Sequence, residues 1–233
     1  MKEIKVKCLG CGSLEGGDFC GGCHTVLPIE GQEIDYFRTF GMSPRPAVDR
    51  ESLKASFLAL SQKFHPDRNM MADAQTREHA LLLSSQLNHA YAALCNTKER
   101  LRYLVGRETD REPTEAKQVP AEMMELFFEV HDLMSEVDDY LARKKPAASR
   151  IVAAVAMTDE GKSDLLNRIA ALLQRGARKE AAVEAEVADL DSLWDDETKR
   201  EGILSRLTEL ADMLAYLERL KNSLNQKKLA LKQ

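Results

Sequence analysis

Apolar side chains recur at intervals of three or four residues along most of the chain that follows Asp35. Two such stripes, Leu53–Phe64 and Ala80–Leu94, flank a short polar segment, and three further stripes cover residues 123–141, 165–173 and 203–217. This spacing places the apolar groups on one face of an α-helix. The sequence therefore predicts an all-α fold in which a helical hairpin precedes a C-terminal three-helix bundle.

A proline and a capping residue predict where the first helix of the hairpin begins and ends. Asp49 is a suitable N-cap, and Pro66 should end the helix because proline disfavours the helical conformation of the residue before it. The tripeptide His65-Pro66-Asp67 then lies at the start of an exposed loop. In the bundle region, three glycines are expected to interrupt or end helices: Gly161, Gly176 and Gly202.

Composition excludes several functional classes. Of the 233 residues, 44% are hydrophobic and 30% are charged, and the net charge of −5 argues against a general nucleic-acid binder. The longest apolar runs are too short to span a membrane, and no secretion signal or Arg-rich transit segment is visible at the N-terminus, so we expect a cytoplasmic protein. No Gly-rich phosphate loop or nucleophile motif is present, so we expect no enzymatic activity.

Four of the five cysteines lie within the first 23 residues, in the pattern C-x2-C-x8-C-x2-C. In a reducing compartment this pattern is typical of a metal site rather than of a disulfide framework. Four thiolates close a tetrahedron, so we predict one structural zinc ion, with rubredoxin-like iron as the less favoured metal. Two alternatives stay open, namely unligated thiols and a redox switch. The predicted ligands are Cys8, Cys11, Cys20 and Cys23.

Changes in composition along the chain predict four segments. Residues 1–32 form the metal-binding module, residues 33–106 contain the helical hairpin, residues 107–119 are a polar linker, and residues 120–233 form the bundle.

Several short segments of the second region resemble the J-domain of HscB, the co-chaperone of iron–sulfur cluster biogenesis. They are the opening Asp35-Tyr36-Phe37, the segment Lys63 to Asn69 around His65-Pro66-Asp67, the segment Leu87 to Leu94, and Arg102-Tyr103-Leu104. The four-cysteine extension is similar to that of eukaryotic HscB proteins. The resemblance implies a DnaK/HscA-type ATPase as partner, because family members dock this loop and the adjoining helix on such a chaperone. The implied chaperone-binding residues are His65, Pro66, Asp67, Lys63, Arg68, Asn69 and Lys54.

The same resemblance implies that the bundle binds an IscU-type iron–sulfur scaffold protein. When residues 123–141 are projected as a helix with Val130 toward the core, Met124 and Phe128 fall about 120° and 160° away, among acidic residues. Tyr216 falls about 120° from the core direction of its own helix. The implied scaffold-binding residues are Met124, Phe128, Glu125, Glu129, Asp132, Glu136 and Tyr216.

Several alternatives to this function stay open. Met124, Phe128 and Tyr216 can instead pack on the J-domain or on an adjacent helix. The whole chain can instead be a general J-protein whose bundle binds another client or dimerises. A zinc-ribbon nucleic-acid adaptor is a further alternative, against which the acidic net charge counts.

Overall fold

The computed structural model describes residues 6–8, 11–15, 20–22, 27, 34–65, 67, 74–109, 119–144 and 159–233. Within these ranges the regular secondary structure is helical, including one 3-10 turn at Ala121–Met123, apart from two antiparallel strands of two residues each, and the predicted all-α fold is confirmed. The strands are β1 (Val6–Lys7) and β2 (Leu14–Glu15). The helices are α1 (Tyr36–Thr39), α2 (Arg50–Phe64), α3 (Ala74–Cys95), α4 (Thr97–Thr109), α5 (Met124–Lys144), α6 (Asp159–Ser192) and α7 (Arg200–Lys232).

The chain divides into two compact units, Met1–Glu108 and Thr109–Gln233. The division falls within the predicted linker 107–119, and α4 runs three residues past the predicted J-domain boundary at residue 106. The separation of a metal-binding module from the J-domain inside the first unit stays a prediction. No helix in the described part of the chain is long and apolar enough to cross a membrane.

The bounds of α2 follow from the two signals noted in the sequence. Asp49 is the N-cap, and its Oδ1 accepts a hydrogen bond of 3.1 Å from the backbone N–H of Glu51. The helix ends at Phe64, and His65 takes an extended conformation with φ −59° and ψ 133°, as a residue before proline should. Both predicted ends of this helix are therefore confirmed.

The hairpin core of the first unit forms between α2 and α3. The ring of Phe57 stacks on Tyr91 with centroids 4.1 Å apart. The apolar stripes meet in a buried set that consists of Leu53, Phe64, Ala80, Leu83, Leu87, Ala90 and Leu94. Burial of these side chains supplies the main stabilisation of the unit, at roughly 1.5–3 kcal/mol for each large aliphatic or aromatic group.

Two helices that the apolar stripes did not predict, α1 and α4, contact each other through the start of α1. Asp35 caps α1, where its Oδ1 accepts from the backbone N–H of Arg38 at 3.0 Å, and it also pairs with Arg107 of α4. The backbone N–H of Tyr36 donates to the hydroxyl of Tyr103 at 3.0 Å, and the two rings stack with centroids 4.0 Å apart. The segments Asp35-Tyr36-Phe37 and Arg102-Tyr103-Leu104 therefore pack against each other.

Arg100 is a buried cation at the junction between α3 and α4, with only 3% of its surface exposed. Its guanidinium donates to the carbonyl oxygen of Pro46 at 2.8 Å, to that of Leu94 at 2.7 Å and to the hydroxyl of Thr97 at 3.2 Å. A buried guanidinium is tolerated only when such hydrogen bonds replace its hydration. Arg100 thus fixes the loop before α2 against the start of α4.

In the second unit, α5, α6 and α7 pack as the predicted three-helix bundle. Contacts of Glu129 with Arg175 and of Glu136 with Arg168 show that α5 and α6 are antiparallel. Contacts of Phe127 with Tyr216 and of Asp138 with Lys227 show that α5 and α7 are parallel. The core side chains include Leu126, Val130, Leu133, Val137, Leu165, Ile169, Leu172, Leu207, Leu210, Leu217 and Leu224.

The prediction that three glycines interrupt or end helices is wrong. Gly161 and Gly176 lie inside α6, and Gly202 lies inside α7. A helical glycine costs about 1 kcal/mol relative to alanine, a cost that tertiary packing of a long amphipathic helix offsets. Gly176 also lines a small cavity of about 30 Å³, and a Cβ added there would lie 4.0 Å from Leu217 Cδ2.

The turn between α6 and α7 is organised around Trp194, which is 4% exposed. The guanidinium carbon of Arg200 lies 3.8 Å from the centroid of the indole ring, a cation–π contact. Asp196 accepts hydrogen bonds from the hydroxyl and the backbone N–H of Thr198, and it also pairs with Lys199. These contacts lower the pKa of Asp196 to about 2, the Thr198 hydroxyl first among them.

Candidate interaction surfaces and metal centre

The end of α2 presents His65 and Asp67 to solvent. Their side chains are 54% and 78% exposed. The backbone N–H of Asp67 donates to Nδ1 of His65 at 3.2 Å, and Oδ2 of Asp67 lies 3.6 Å from the same nitrogen. The end of α2 therefore holds an outward carboxylate and an imidazole next to each other.

Two of the predicted basic residues lie on α2. Lys54 and Lys63 are both exposed, and Nζ of Lys63 lies 5.2 Å from the ring centroid of Phe64. They share this helix with the His65–Asp67 turn. The other predicted chaperone-binding residues, Pro66, Arg68 and Asn69, lie outside the described residues.

Met124 and Phe128 form an exposed apolar pair on α5, with 38% and 57% of their surfaces accessible. This placement outside the core is the one that the helical projection predicted. Phe127, which precedes Phe128, is half-buried, and the two rings meet edge to face with centroids 5.4 Å apart. The pair is therefore an accessible surface backed by the aromatic side chain beneath it.

The acidic residues predicted to surround this pair differ in how closely they pair with basic groups of the bundle. Glu129 pairs with Arg175, and Glu136 accepts two hydrogen bonds from Arg168, one of them at 2.8 Å. The hydrogen bond from Arg168 lowers the pKa of Glu136. Glu125 is a more distant neighbour of Arg175, at 3.9 Å, and Asp132 lies 3.8 Å from Nδ1 of the adjacent His131.

The pairing of α5 with α6 was missed in the sequence, although a signal exists there. Glu129 and Glu136 are seven residues apart, and so are their partners Arg168 and Arg175. Matched heptad spacings on two predicted helices indicate a ladder of ion pairs, and the observed partners make it antiparallel. Partly exposed pairs of this kind contribute up to about 1 kcal/mol each and mainly fix the register of the two helices.

The expectation that Tyr216 projects away from the core is wrong. Its side chain is buried, with 6% exposed, and its ring lies 6.5 Å from that of Phe127. Both α5 and α6 pack against α7, so a wider sector of the α7 surface is buried than a projection with a single core direction predicts. Burial raises the pKa of the Tyr216 phenol, and its hydroxyl has no hydrogen-bond partner among the described residues.

Three cysteines converge in the N-terminal segment. The sulfur atoms of Cys8, Cys11 and Cys20 all lie within 4.8 Å of one another, and those of Cys11 and Cys20 are 3.5 Å apart. Zinc–sulfur bonds of about 2.3 Å in a tetrahedron separate the sulfurs by roughly 3.8 Å, so this arrangement fits such an ion. The fourth predicted ligand, Cys23, lies outside the described residues.

The strands β1 and β2 position the first C-x2-C pair, Cys8 and Cys11. Lys7 pairs with Leu14, and the backbone N–H of Cys8 donates to the carbonyl of Ser13 at 2.8 Å. Gly12 turns the chain immediately after Cys11 with φ +80°, a conformation that favours glycine. Cys8 and Cys20 are buried together with Leu27, so the cluster also provides the small core of this segment.

The remaining cysteine, Cys95, stands apart in α3. It is half-buried and hydrogen-bonded to Tyr91, a contact that raises the pKa of the Tyr91 phenol. It thus belongs to the helix packing of the hairpin rather than to the metal cluster.

The chain is similar to known proteins in both sequence and structure. The chain is 27% identical over 140 residues to the "Iron-sulfur cluster co-chaperone protein HscB homolog" of Arabidopsis thaliana, covering 59% of this chain and 54% of that protein. It is 37% identical over 70 residues to a co-chaperone protein HscB homologue of Neisseria meningitidis, covering 30% of this chain and 42% of the relative. The chain is a homologue of the HscB co-chaperones. No protein-family model matches it.

Solved structures extend this HscB likeness over nearly the whole fold. Human HscB superimposes with a TM-score of 0.59 at 18% identity, covering 96% of this chain and 99% of that one. HscB from Vibrio cholerae gives a TM-score of 0.55 at 20% identity, covering 83% and 96% of the two chains. The sequence matches span only about half the length of the curated HscB relatives. The architecture is thus HscB-like in both compact units, whereas the sequence likeness is confined to part of the chain.

Proposed function

We propose that this chain is a J-type co-chaperone that stimulates the ATPase of a DnaK/HscA-type chaperone and delivers an IscU-type iron–sulfur scaffold protein to it. In this role the chain has no enzymatic activity of its own and acts by binding two proteins, with neither nucleic acid nor membrane as a partner. The observation that carries the proposal is the exposed pair His65 and Asp67 at the end of α2, in a homologue of HscB.

The chemistry of the α2 end suits an ATPase domain with basic groups at its docking site. The Asp67 carboxylate is available to accept charge-assisted hydrogen bonds from an arginine of the partner. Hydrogen bonding to the Asp67 N–H orients the imidazole of His65. Lys54 and Lys63 on the same helix supply positive charge for an acidic rim, which raises the association rate more than the affinity.

The exposed face of α5 is the proposed site for the scaffold protein. Met124 and Phe128 supply apolar contacts, with Glu125 and Asp132 as the more accessible carboxylates beside them. Glu129 and Glu136 act mainly in holding α5 against α6. Tyr216 supports Phe127 from within the bundle, and we assign it no direct contact with the scaffold.

A steady-state ATPase assay with both proposed partners tests the co-chaperone function. We expect ATP hydrolysis in the presence of this chain and the scaffold together to exceed the sum of the rates that each stimulates alone. Synergy arises because one adaptor brings the scaffold to the chaperone, so that the second binding event becomes intramolecular. Stimulation that the scaffold does not increase favours a general J-protein, and absence of stimulation contradicts the proposal as a whole.

We further propose that Cys8, Cys11, Cys20 and Cys23 bind one structural zinc ion. The first thirty residues are too few to build a hydrophobic core alone, so the metal would supply most of their folding free energy. The reducing cytoplasm, where we expect the protein to reside, would keep the four thiols available.

Metal analysis of the purified chain checks the zinc proposal. We expect about one equivalent of zinc, its loss on treatment with a strong chelator, and loss of structure in the N-terminal segment alone. The variant Cys20→Ser should lower the zinc content, whereas Cys95→Ser, which alters a cysteine outside the cluster, should retain it. A metal content below about half an equivalent in the wild-type chain, or iron in place of zinc, would contradict the assignment.

A further inference from the structure

The hydroxyl of Ser13 lies between two of the clustered sulfurs. Its Oγ is 3.2 Å from Sγ of Cys11 and 3.3 Å from Sγ of Cys20, both within hydrogen-bonding range for sulfur. Cys11 belongs to the first C-x2-C pair and Cys20 to the second, so Ser13 contacts both halves of the proposed metal centre. The side chain is half-buried, which limits competition from water.

The β-hairpin fixes the backbone at Ser13. Its carbonyl oxygen accepts the hydrogen bond from Cys8 N–H, one step beyond the Lys7–Leu14 pair of the ladder. On the other side of the turn, the N–H of Gly12 donates to the carbonyl of Cys8 at 2.8 Å. This backbone pairing, which involves no metal–ligand bond, places residue 13 beside the sulfurs.

Metal binding defines the direction of the serine hydrogen bonds. Cysteines bind a soft divalent cation as thiolates, so the sulfurs lose their protons and become acceptors only. The Ser13 hydroxyl has one O–H donor, so it can then donate to one of its two sulfur neighbours at a time. Four thiolates around a divalent ion carry a net charge of two minus, and such a donor stabilises this charge beside the buried Leu27.

We infer that Ser13 is a positioning residue of the metal centre, whose hydroxyl donates to the bound sulfur of Cys11 or Cys20 and lowers the electron density on that sulfur. This inference rests on the proposed four-cysteine metal site. It means that the affinity of the site for soft divalent cations depends on the Ser13 hydroxyl as well as on the four cysteine ligands.

Cobalt(II) substitution in the full chain tests the role of Ser13. We expect Ser13→Ala to weaken zinc binding, measured by competition with cobalt, by about 10-fold to 100-fold, as is usual for loss of a hydrogen bond to a metal ligand. The sulfur-to-cobalt charge-transfer band should move to longer wavelength, because the sulfur lone pairs rise in energy without the donor. Ser13→Thr, which keeps the hydroxyl, should restore both properties, and Ser43→Ala at an exposed serine should change neither.

The outcomes separate this inference from the metal site itself. If Ser13→Ala binds zinc and cobalt like the wild type, the role of Ser13 is overturned and the metal centre stands. If affinity falls without a spectral shift, or if threonine does not restore it, Ser13 acts only through packing and the inference fails. If the wild-type chain shows no tetrahedral cobalt–thiolate spectrum, the metal centre is overturned together with the inference.

Discussion

Replacing His65 with glutamine is expected to abolish the stimulation of a DnaK/HscA-type ATPase, with a fall of at least about 10-fold toward the basal rate. Glutamine keeps a polar end, but it loses the rigid ring whose Nδ1 accepts from the N–H of Asp67. The end of α2 then no longer presents an oriented ring beside the Asp67 carboxylate. Loss of a positioned contact at the centre of a docking site typically costs about 2 kcal/mol or more.

The chain offers a matched control for this substitution. His131 is also an exposed histidine next to an aspartate, with Nδ1 3.8 Å from Asp132, but it lies on α5 of the second unit. His131→Gln should therefore leave stimulation in the absence of scaffold unchanged. Asp67→Asn, which removes the charge and keeps the shape, should lower stimulation like His65→Gln. Wild-type stimulation by the His65 variant would contradict the docking assignment.

The second large effect is expected at the apolar pair of α5. Replacing Met124 and Phe128 together with alanine should reduce affinity for the scaffold protein by about 100-fold, as measured by isothermal titration calorimetry. Two partly exposed apolar side chains that become buried in an interface contribute on the order of 1.5 kcal/mol each. Because both side chains project from the core, the bundle itself should remain folded.

Two similarly exposed leucines elsewhere on the same unit provide the control for that result. Leu193 and Leu229 are 42% and 60% exposed, and neither lies on α5. The double variant Leu193→Ala/Leu229→Ala should bind the scaffold normally. Both double variants should also keep the stimulation that the chain gives without scaffold. Equal scaffold affinity in the α5 variant and the wild type would refute the proposed surface.

Local signals in the sequence were sufficient for the helices whose ends and faces are encoded nearby. Asp49 and Pro66 bound α2, and the apolar stripe of α5 placed Met124 and Phe128 outside the core. The spacing of Cys8, Cys11 and Cys20 likewise predicted that their sulfurs meet. In each case the determining residues lie within a few turns, or one short hairpin, of each other.

Features that depend on distant partners could not be predicted in the same way. Arg100 resembles a surface arginine in sequence, and only the loop carbonyl of Pro46 and the end of α3 make its burial favourable. Tyr216 was misjudged because a single core direction does not describe a helix covered by two neighbours. Gly176 continues a helix because the packing of the whole bundle outweighs its low propensity.

Trp194, packed under Arg200 in the turn between α6 and α7, has a practical consequence for experiments on this chain. It is the single tryptophan of the sequence, and it belongs to the second compact unit. Intrinsic emission excited selectively at tryptophan therefore follows the opening of the bundle and is blind to the first unit. Comparison of such an optical melting curve with one recorded by far-ultraviolet circular dichroism, to which the helices of both units contribute, will separate the two unfolding transitions without any label.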